Sequence, residues 1–382
     1  MAIIVQKYGG SSVATVDRLK QVARKVVQRR RSGDDVVVVV SAMGDTTDRL
    51  LEMARQMSSA PHRRELDMLL TVGERTSMAL LSMAIHDAGV DAISFTGSQC
   101  GILTTDSHSR AQIMEVRPFR VQDELARGRV VIVAGYQGTS YKREITTLGR
   151  GGSDLTAVAL AGALGAEACE IYSDVDGVWT ADPRIVPSST KIESLSYEEM
   201  EALSRGGAKV LNRDAVAWAR RVGVALYARS TFAPDDARGT AVRLNPPVRP
   251  NPVIGVTGRK DWIRVQHTQA SVLSDLLCGS PVVRRRAKSN LVTAWLVKED
   301  LPEASVLIEG CRAAGATVEE HLGSVTVVGT GLGENQHTYQ LLVSQLSEWP
   351  NELTETSWTA WLPPDLVDQT VRIVHDAALA RR

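Results

Sequence analysis

Two short stretches of the sequence join a cation to paired glycines: Lys7-Tyr8-Gly9-Gly10 and Arg150-Gly151-Gly152-Ser153-Asp154. Each is followed by a helical pattern. The first backbone N–H groups of a helix lack intrahelical partners and lie at the positive end of its dipole, so a glycine-rich helix start can receive an anion at close range. Lys7 adds a full charge on a flexible stem. Arg150 adds a planar fork that holds a carboxylate or phosphate through two parallel hydrogen bonds. Ser153 is a natural N-cap and a hydroxyl donor, and Asp154 in the first turn complements the dipole. Either stretch alone reads equally well as a strand-to-helix turn with a surface cation. Together, in one α/β pattern, they point to two anionic ligands meeting across a sheet edge.

Other polar groups fit the same picture. Ser41 and Gly44-Asp45-Thr46-Thr47 follow the run Val36-Val37-Val38-Val39-Val40, where ligands of α/β sheets bind. Glu74 interrupts the apolar stretch "MLLTVGERTSMALLSMAI"; its default is a solvated carboxylate, its alternative a carboxylate facing a ligand cation. The run "YSDVDGVWTADPR" carries Asp174, Asp176, Trp179, Asp182 and Arg184. It is either an acidic loop or an aromatic platform for a nucleobase with an arginine nearby. Gly-Lys-Ser and Gly-Lys-Thr never occur, which excludes a Walker A loop. In "VVGTGLGEN" Glu334 stands where the third glycine of a dinucleotide fingerprint belongs, so this is a loop.

The elements that must position these groups alternate. Strands are predicted at Ile3–Gln6, Val36–Ser41, Ala92–Phe95, Val130–Ala134, Glu170–Ser173 and Val224–Ala228. Helices are predicted near residues 15–31, 46–58, 64–88, 119–127, 154–164 and 210–222. The valine run is apolar on both faces, as a central parallel strand requires. The alternation means an open α/β/α sandwich. It stops near Pro234-Asp235-Asp236-Ala237-Arg238-Gly239, and Pro246, Pro247, Pro250 and Pro252 make a stiff connector. Shorter mixed elements follow, as in one or two small βαββαβ units.

Composition narrows the classes. At 382 residues the chain needs two or three domains. Forty-four basic and 44 acidic residues balance, which argues against nucleic-acid binding by bulk electrostatics. Arg29-Arg30-Arg31 closes a helical pattern, where cations suit the dipole; Arg284-Arg285-Arg286 faces either a partner or solvent. Cys100, Cys169, Cys278 and Cys311 form no CxxC pair, and the seven histidines show no ligand spacing, so neither a disulfide framework nor a metal site is expected. No signal-peptide pattern and no apolar run of about 18 residues is seen, so a cytoplasmic protein is expected.

The motifs "KYGGSSVA", "VVSAMGDTTD", "VGERTSMALL", "SFTGSQCGI", "GYQGTS", "TTLGRGGSD", "EIYSDVDGVWTADPRIVP", "YEEM", "GAKVL" and "ARSTFAPDDARGT" resemble, in order and spacing, those of the aspartate kinases, most of all the actinobacterial type. The resemblance covers residues 2 to 243. It implies the amino-acid kinase fold and transfer of the ATP γ-phosphoryl group to the side-chain carboxylate of L-aspartate, giving 4-phospho-L-aspartate, with Mg2+ accompanying ATP. It gives Lys7 the role of phosphate-stabilising lysine, with Tyr8, Gly9, Gly10 and Ser41 in the nucleotide region. Thr47 lies near the substrate and Glu74 meets its α-ammonium. Arg150 holds the substrate carboxylate with Gly151 and Ser153 beside it, and Asp154 organises the transfer. Ser173, Asp174, Trp179, Asp182, Arg184 and Lys209 match the ATP segment. The implied domains are a kinase domain over 1–243, a Pro-rich linker over 244–256 and a shortened ACT-like regulatory region over 257–382, with assembly into a homodimer or higher oligomer.

Departures are few in the first part: Trp179 replaces a tyrosine, and Ser109 replaces a glycine that often follows the histidine in "GILTTDSHSRAQI". In the second part Val265-Gln266-His267-Thr268 and Glu334-Asn335-Gln336-His337 stand where the family's effector loops carry Pro-Gly. The expectation is a kinase with weakened or lost lysine and threonine feedback. Two other readings compete: another amino-acid kinase, and a non-enzymatic partner subunit. Glu74 with Arg150 suits a zwitterionic amino acid against the first. Intact Lys7, Arg150 and Asp154 argue against the second.

Overall fold

The computed structural model describes residues 2–234, 237–278, 280–288, 290–301 and 304–379; Asp235 and Asp236 of the predicted closing turn lie outside the described residues. The chain divides into two compact units. The first comprises Met1–Val178, Lys191–Met200 and Lys209–Pro247. The second comprises Trp179–Thr190, Glu201–Ala208 and Val248–Arg382. Two segments that lie within the first 243 residues thus fold with the C-terminal unit. The second unit's long first strand begins at Val253, inside the stretch read as linker.

The first unit is built on an eight-stranded sheet. Its order is Ser194–Leu195, Thr240–Val242, Ala225–Ser230, Ala168–Ser173, Ile3–Tyr8, Asp35–Val40, Val130–Ala134, Ala92–Phe95. All pairs are parallel except Thr240–Val242 against Ala225–Ser230. Val36 to Val40 are all fully buried, as a strand covered on both faces requires. Val36, Val38 and Val40 join Leu19, Val22, Val26, Leu81 and Ile85 in one core, so the helices Val16–Arg31 and Val72–Asp87 cover that face. The helix Gly152–Leu164 packs against the Ile3–Tyr8, Asp35–Val40 and Ala168–Ser173 strands, and Arg213–Val222 packs on that helix. Nearly every side chain of Gly152–Leu164 is buried, which is why it is free of charge after Asp154.

Helix ends follow local chemistry. Thr15 accepts a hydrogen bond from Arg18 N at 3.2 Å and caps Val16–Arg31. Arg29, Arg30 and Arg31 close that helix; Arg29 pairs with Asp34 at 2.7 Å. The helix expected over 64–88 is two, Arg63–Leu70 and Val72–Asp87, meeting at Thr71. The stretch Arg63–Asp87 is long and apolar enough, by length and composition, to cross a membrane. This corrects the expectation that no apolar run of that length occurs. Here it forms those two helices, which turn Leu70, Leu81 and Ile85 inward and carry the buried Glu74. A second, four-stranded sheet of Ile113–Val116, Ile102–Thr104, Gln137–Ser140 and Ile145–Thr147 was not expected, because its strands are only three or four residues long.

The second unit holds a six-stranded antiparallel sheet ordered Val282–Lys288, Leu291–Val297, Val253–His267, Thr317–Gly329, Ser357–Leu362, Asn351–Leu353. From Val253 to Gly329 the chain runs strand, helix, strand, strand, helix, strand: one full ACT-like βαββαβ unit. From Thr317 onward it repeats the pattern as strand, helix, strand, strand, helix, and the early part of Val253–His267 completes that second unit beside Ser324–Val328. Ala270–Leu276 and Ala304–Ala313 bury Leu273, Ile308 and Cys311 on Ile263, Val265 and Leu296. Gln336–Leu346 and Val367–Leu379 bury Leu342, Val371 and Val374 on Val325, Val327 and Ala360. Trp262, Trp295 and Trp361 form a separate cluster, the last two stacked 5.3 Å apart. The Arg284-Arg285-Arg286 run is a strand, and Arg284 pairs with Glu352.

Candidate active site

The strand order fixes where a ligand belongs. From Ile3–Tyr8 the chain passes to Asp35–Val40 on one side; from Ala168–Ser173 it goes by way of the edge strand Ser194–Leu195 to Ala225–Ser230 on the other. The carboxyl ends of these two neighbours therefore form a topological switch point, the usual ligand crevice of an open α/β sheet. Gly9 N donates to Tyr172 O at 3.1 Å there, Ser41 N donates to Tyr8 O at 3.1 Å, and Gly44 N donates to Gly10 O at 3.1 Å. Lys7, Gly9, Gly10 and Ser41 are thereby gathered at one edge. The Tyr8 ring is fully buried and stacks on Tyr172 at 4.8 Å, which leaves only its backbone for a ligand.

Lys7 reaches Asp154. Its Nζ lies 2.7 Å from Asp154 Oδ1, and each side chain is only 12% exposed. Asp154 stands in the first turn of Gly152–Leu164, which opens after Gly151 at φ +77°. A Cβ on Gly151 would meet Asn212 Nδ2 at 2.0 Å, so only glycine fits. Asn212 caps Arg213–Val222 by accepting from Asp214 N and Ala215 N at 2.9 and 3.1 Å, and its Nδ2 donates to Arg150 O at 3.5 Å. Ser153 is buried against Gly135, and the Arg150 side chain is exposed.

Glu74 is the second buried carboxylate. It opens Val72–Asp87, and its Oε1 accepts from Ala42 N, next to Ser41, at 3.2 Å. The helix approaches closely because residue 73 is glycine: a Cβ there would lie 2.7 Å from Ala42 Cβ. Glu74 Oε2 is buried with no hydrogen-bond partner. Burial pushes its carboxyl up to about 7, against two backbone hydrogen bonds that lower it. A buried acceptor left open in this way suits a cationic ligand group. Thr47 is half-buried in the first turn of Thr46–Met57.

The remaining expected residues disperse. Ser173 Oγ accepts from Val175 N at 3.2 Å, and Asp174 is exposed. A cleft beside them is lined by Lys25, Tyr172, Asp176, Lys191, Arg229 and Arg238. Its cations were missed in the sequence because they come from four separate segments. Lys209 belongs to the first unit and is exposed. Trp179, Asp182 and Arg184 belong to the second unit. There Arg184 Nη2 pairs with Asp182 Oδ2 at 2.6 Å and holds the Asp182 carboxyl below its ordinary value.

Ser109, the departure from glycine, takes φ +69°, and its Oγ is buried without a partner. Both features disfavour serine. Ser109→Gly is therefore expected to stabilise the protein by about 1 kcal/mol in urea unfolding, after the extra chain entropy of glycine is deducted. A variant less stable than wild type would show that the serine side chain contributes to the fold.

The model of the amino acid kinase family matches residues 2–227. An aspartokinase of Mycolicibacterium smegmatis is 55% identical over 244 residues, 64% of this chain and 58% of the relative. The chain thus spans less than two thirds of that relative's length. An aspartokinase of Geobacillus stearothermophilus is 41% identical over 350 residues, 88% of this chain and 86% of the relative. The crystal structure of E. coli aspartokinase III in complex with aspartate and ADP superposes with a TM-score of 0.83 at 23% identity, covering 98% of this chain and 99% of that one. The fold, the buried Lys7–Asp154 pair at the switch point and these two levels of identity lead to one conclusion: the chain belongs to the amino acid kinase family and, within it, to the aspartokinases.

Proposed function

We propose that the chain transfers the γ-phosphoryl group of ATP to the side-chain carboxylate of L-aspartate. The observation that carries this reading is the Lys7–Asp154 ion pair at the switch point, with glycine backbone beside it. A carboxylate oxygen of aspartate attacks the γ-phosphorus, the bond from that phosphorus to the β-γ bridging oxygen breaks, and ADP leaves with the electron pair. The products are ADP and 4-phospho-L-aspartate. Both reactants are anions, so the protein's part is positioning and charge neutralisation.

Lys7 Nζ lies over Gly9, 3.5 Å from where a Cβ would stand, and is the cation for the transferred phosphate. Asp154 holds Lys7 in that place. Arg150 binds the backbone carboxylate of aspartate, and Glu74 Oε2 accepts from its α-ammonium. Thr47 and Ser153 complete the acceptor side; the backbone at Tyr8, Gly9, Gly10 and Ser41 meets the phosphates. Ser173, Asp174, Trp179, Asp182, Arg184 and Lys209 remain assigned to ATP by family resemblance. Mg2+ supplies charge neutralisation to the triphosphate when bound. Among the described residues no three His, Cys, Asp or Glu side chains gather into a group that could hold a metal ion.

The ACT-like unit supports weakened feedback. His267 Nδ1 accepts from Gln269 N at 2.9 Å, and Asn335 Oδ1 accepts from Thr338 N at 2.9 Å. In both loops, backbone N–H groups that could greet an effector carboxylate are already taken by the chain's own side chains. Assembly through this unit into a homodimer or larger oligomer is part of the same reading. The test is hydroxylamine trapping with Mg-ATP and L-aspartate, with and without lysine and threonine. Hydroxamate that persists with both effectors is expected. Inhibition by either would overturn the feedback part, and no hydroxamate would overturn the acceptor.

Proton linkage gives a second check. With its carboxyl at about 7, Glu74 is mostly neutral at pH 6 and ionises when an ammonium docks. Aspartate binding at pH 6 is then expected to release about one proton, and almost none at pH 9. Calorimetry in two buffers of different ionisation enthalpy reads this directly. Equal heats in both buffers at pH 6 would remove Glu74 from the ammonium site.

A further inference from the structure

One fully buried carboxylate has no part in the reaction described so far. Asp67, on the Arg63–Leu70 helix, is completely shielded from solvent. Four donors converge on it. Thr147 Oγ1 donates to Oδ1 at 2.6 Å and Thr147 N to Oδ2 at 3.2 Å. Ser109 N is shared between the two oxygens at 3.0 and 3.1 Å, and His108 Nδ1 donates to Oδ2 at 2.8 Å. Burying a carboxylate carries a desolvation cost that hydrogen bonds must offset, and here those bonds tie the helix to two other segments of the chain.

The donors indicate what those bonds hold. Thr147 ends the Ile145–Thr147 strand, three residues before Arg150. Thr147 O accepts from Ala111 N at 2.8 Å, and Leu148 N donates to Tyr136 O at 2.9 Å. On the far side of Arg150, Gly152 O accepts from Thr156 Oγ1 at 2.8 Å, and Tyr136 N donates to the same hydroxyl at 3.2 Å. Tyr136 is held at φ +69°, an unfavourable conformation that persists only where surroundings fix it. The segment from Thr147 to Gly152 is thus pinned at both ends with Arg150 between them, and Asp67 is the pin at the entering end.

We propose that Asp67, through Thr147, is a positioning residue that sets the Arg150 loop for the amino-acid substrate. This rests on the reading of Arg150 as the clamp for the aspartate carboxylate. Asn at position 67 would turn an NH2 toward donors and disrupt the pin; Thr147→Val removes one donor and leaves three, and Thr147→Ser keeps it.

The test uses the full chain with two readouts. In steady-state kinetics Asp67→Asn is expected to raise KM for aspartate about 10-fold or more while KM for ATP stays within about 2-fold. Thr147→Val is expected to shift it in the same direction by less, and Thr147→Ser to stay close to wild type. In hydrogen exchange without ligands, amides of residues 148–152 are expected to exchange about 10-fold faster in Asp67→Asn and Thr147→Val, with the Ile3–Tyr8 strand unchanged. If Asp67→Asn does not fold, Thr147→Val carries both readouts. Equal changes in the two KM values, or unchanged exchange at 148–152, would overturn the proposal. Faster exchange in the variants of a chain whose wild type phosphorylates no aspartate would keep the pin and discard the substrate reading of Arg150.

Discussion

Lys7→Met is expected to lower kcat by about 10³-fold or more. The side chain keeps its length and loses its charge, so the Ile3–Tyr8 strand and the Gly9 turn remain. What disappears is the cation 2.7 Å from Asp154 and directly over the glycine backbone. With an anionic acceptor approaching a polyanion, that loss falls on the transition state, where charge is redistributed, more than on substrate binding. There is also a structural consequence, because Asp154 is then buried without its partner. A loss of about 3 kcal/mol in stability is expected for a pair as enclosed as this. The double variant Lys7→Met with Asp154→Asn separates the effects: stability returns toward wild type and the rate does not. If kcat recovered along with stability, Lys7 would be a structural ion-pair partner and the site assignment would be wrong.

Glu74→Gln is expected to raise KM for aspartate about 100-fold with a much smaller change in kcat. An ammonium facing a buried carboxylate loses a charge-assisted hydrogen bond worth about 1.5–3 kcal/mol when the partner becomes an amide. The unliganded protein moves the other way. The folded-state value of Glu74 lies above the unfolded one, 4.5 rising to about 7, so folding favours the neutral acid. Its contribution is fully present below about 4.5 and is lost as pH rises through about 7. Above pH 7 the wild type carries a buried, half-satisfied carboxylate, and the glutamine variant does not. The variant is expected to be the more stable of the two at pH 8 without ligand, by about 1–3 kcal/mol, and to show no stability slope between pH 5 and 8 from this group. A glutamine variant with unchanged KM and an unchanged slope would place Glu74 outside the site.

Much of this was legible before the fold. The valine run announced a central covered strand, and the paired glycines beside Lys7 and Arg150 announced helical starts. The family motifs then assigned roles that single residues could not. What stayed hidden has physical causes. Strands of three or four residues, such as Ile102–Thr104, give no period to detect. The strand Val282–Lys288 was hidden by its three consecutive arginines, which leave no alternation of apolar and polar residues. Asp67 lies in "LDMLL", an acid in an apolar helical run, the same anomaly that flagged Glu74; its donors at 108, 109 and 147 are too distant in sequence to suggest a network. Tyr8 was counted with the nucleotide residues, but aromatic stacking on Tyr172 takes its ring into the core. The grouping of Trp179–Thr190 with the C-terminal unit was equally invisible. Thr180 O accepts from Val256 N at 2.7 Å, and its hydroxyl pairs with His375 Nε2 at 3.0 Å, the latter across a sequence separation of 195 residues.

The proposed reaction passes phosphate from ATP to the side-chain carboxylate of aspartate at the Lys7–Asp154 pair. Phosphorus NMR of a mixture of the protein, Mg-ATP and L-aspartate, without any trapping agent, tests it most directly. The account predicts an acyl-phosphate resonance that grows in step with ADP, requires L-aspartate and is absent with Lys7→Met. ADP forming only with inorganic phosphate, or an acyl phosphate that survives the loss of Lys7, would contradict it.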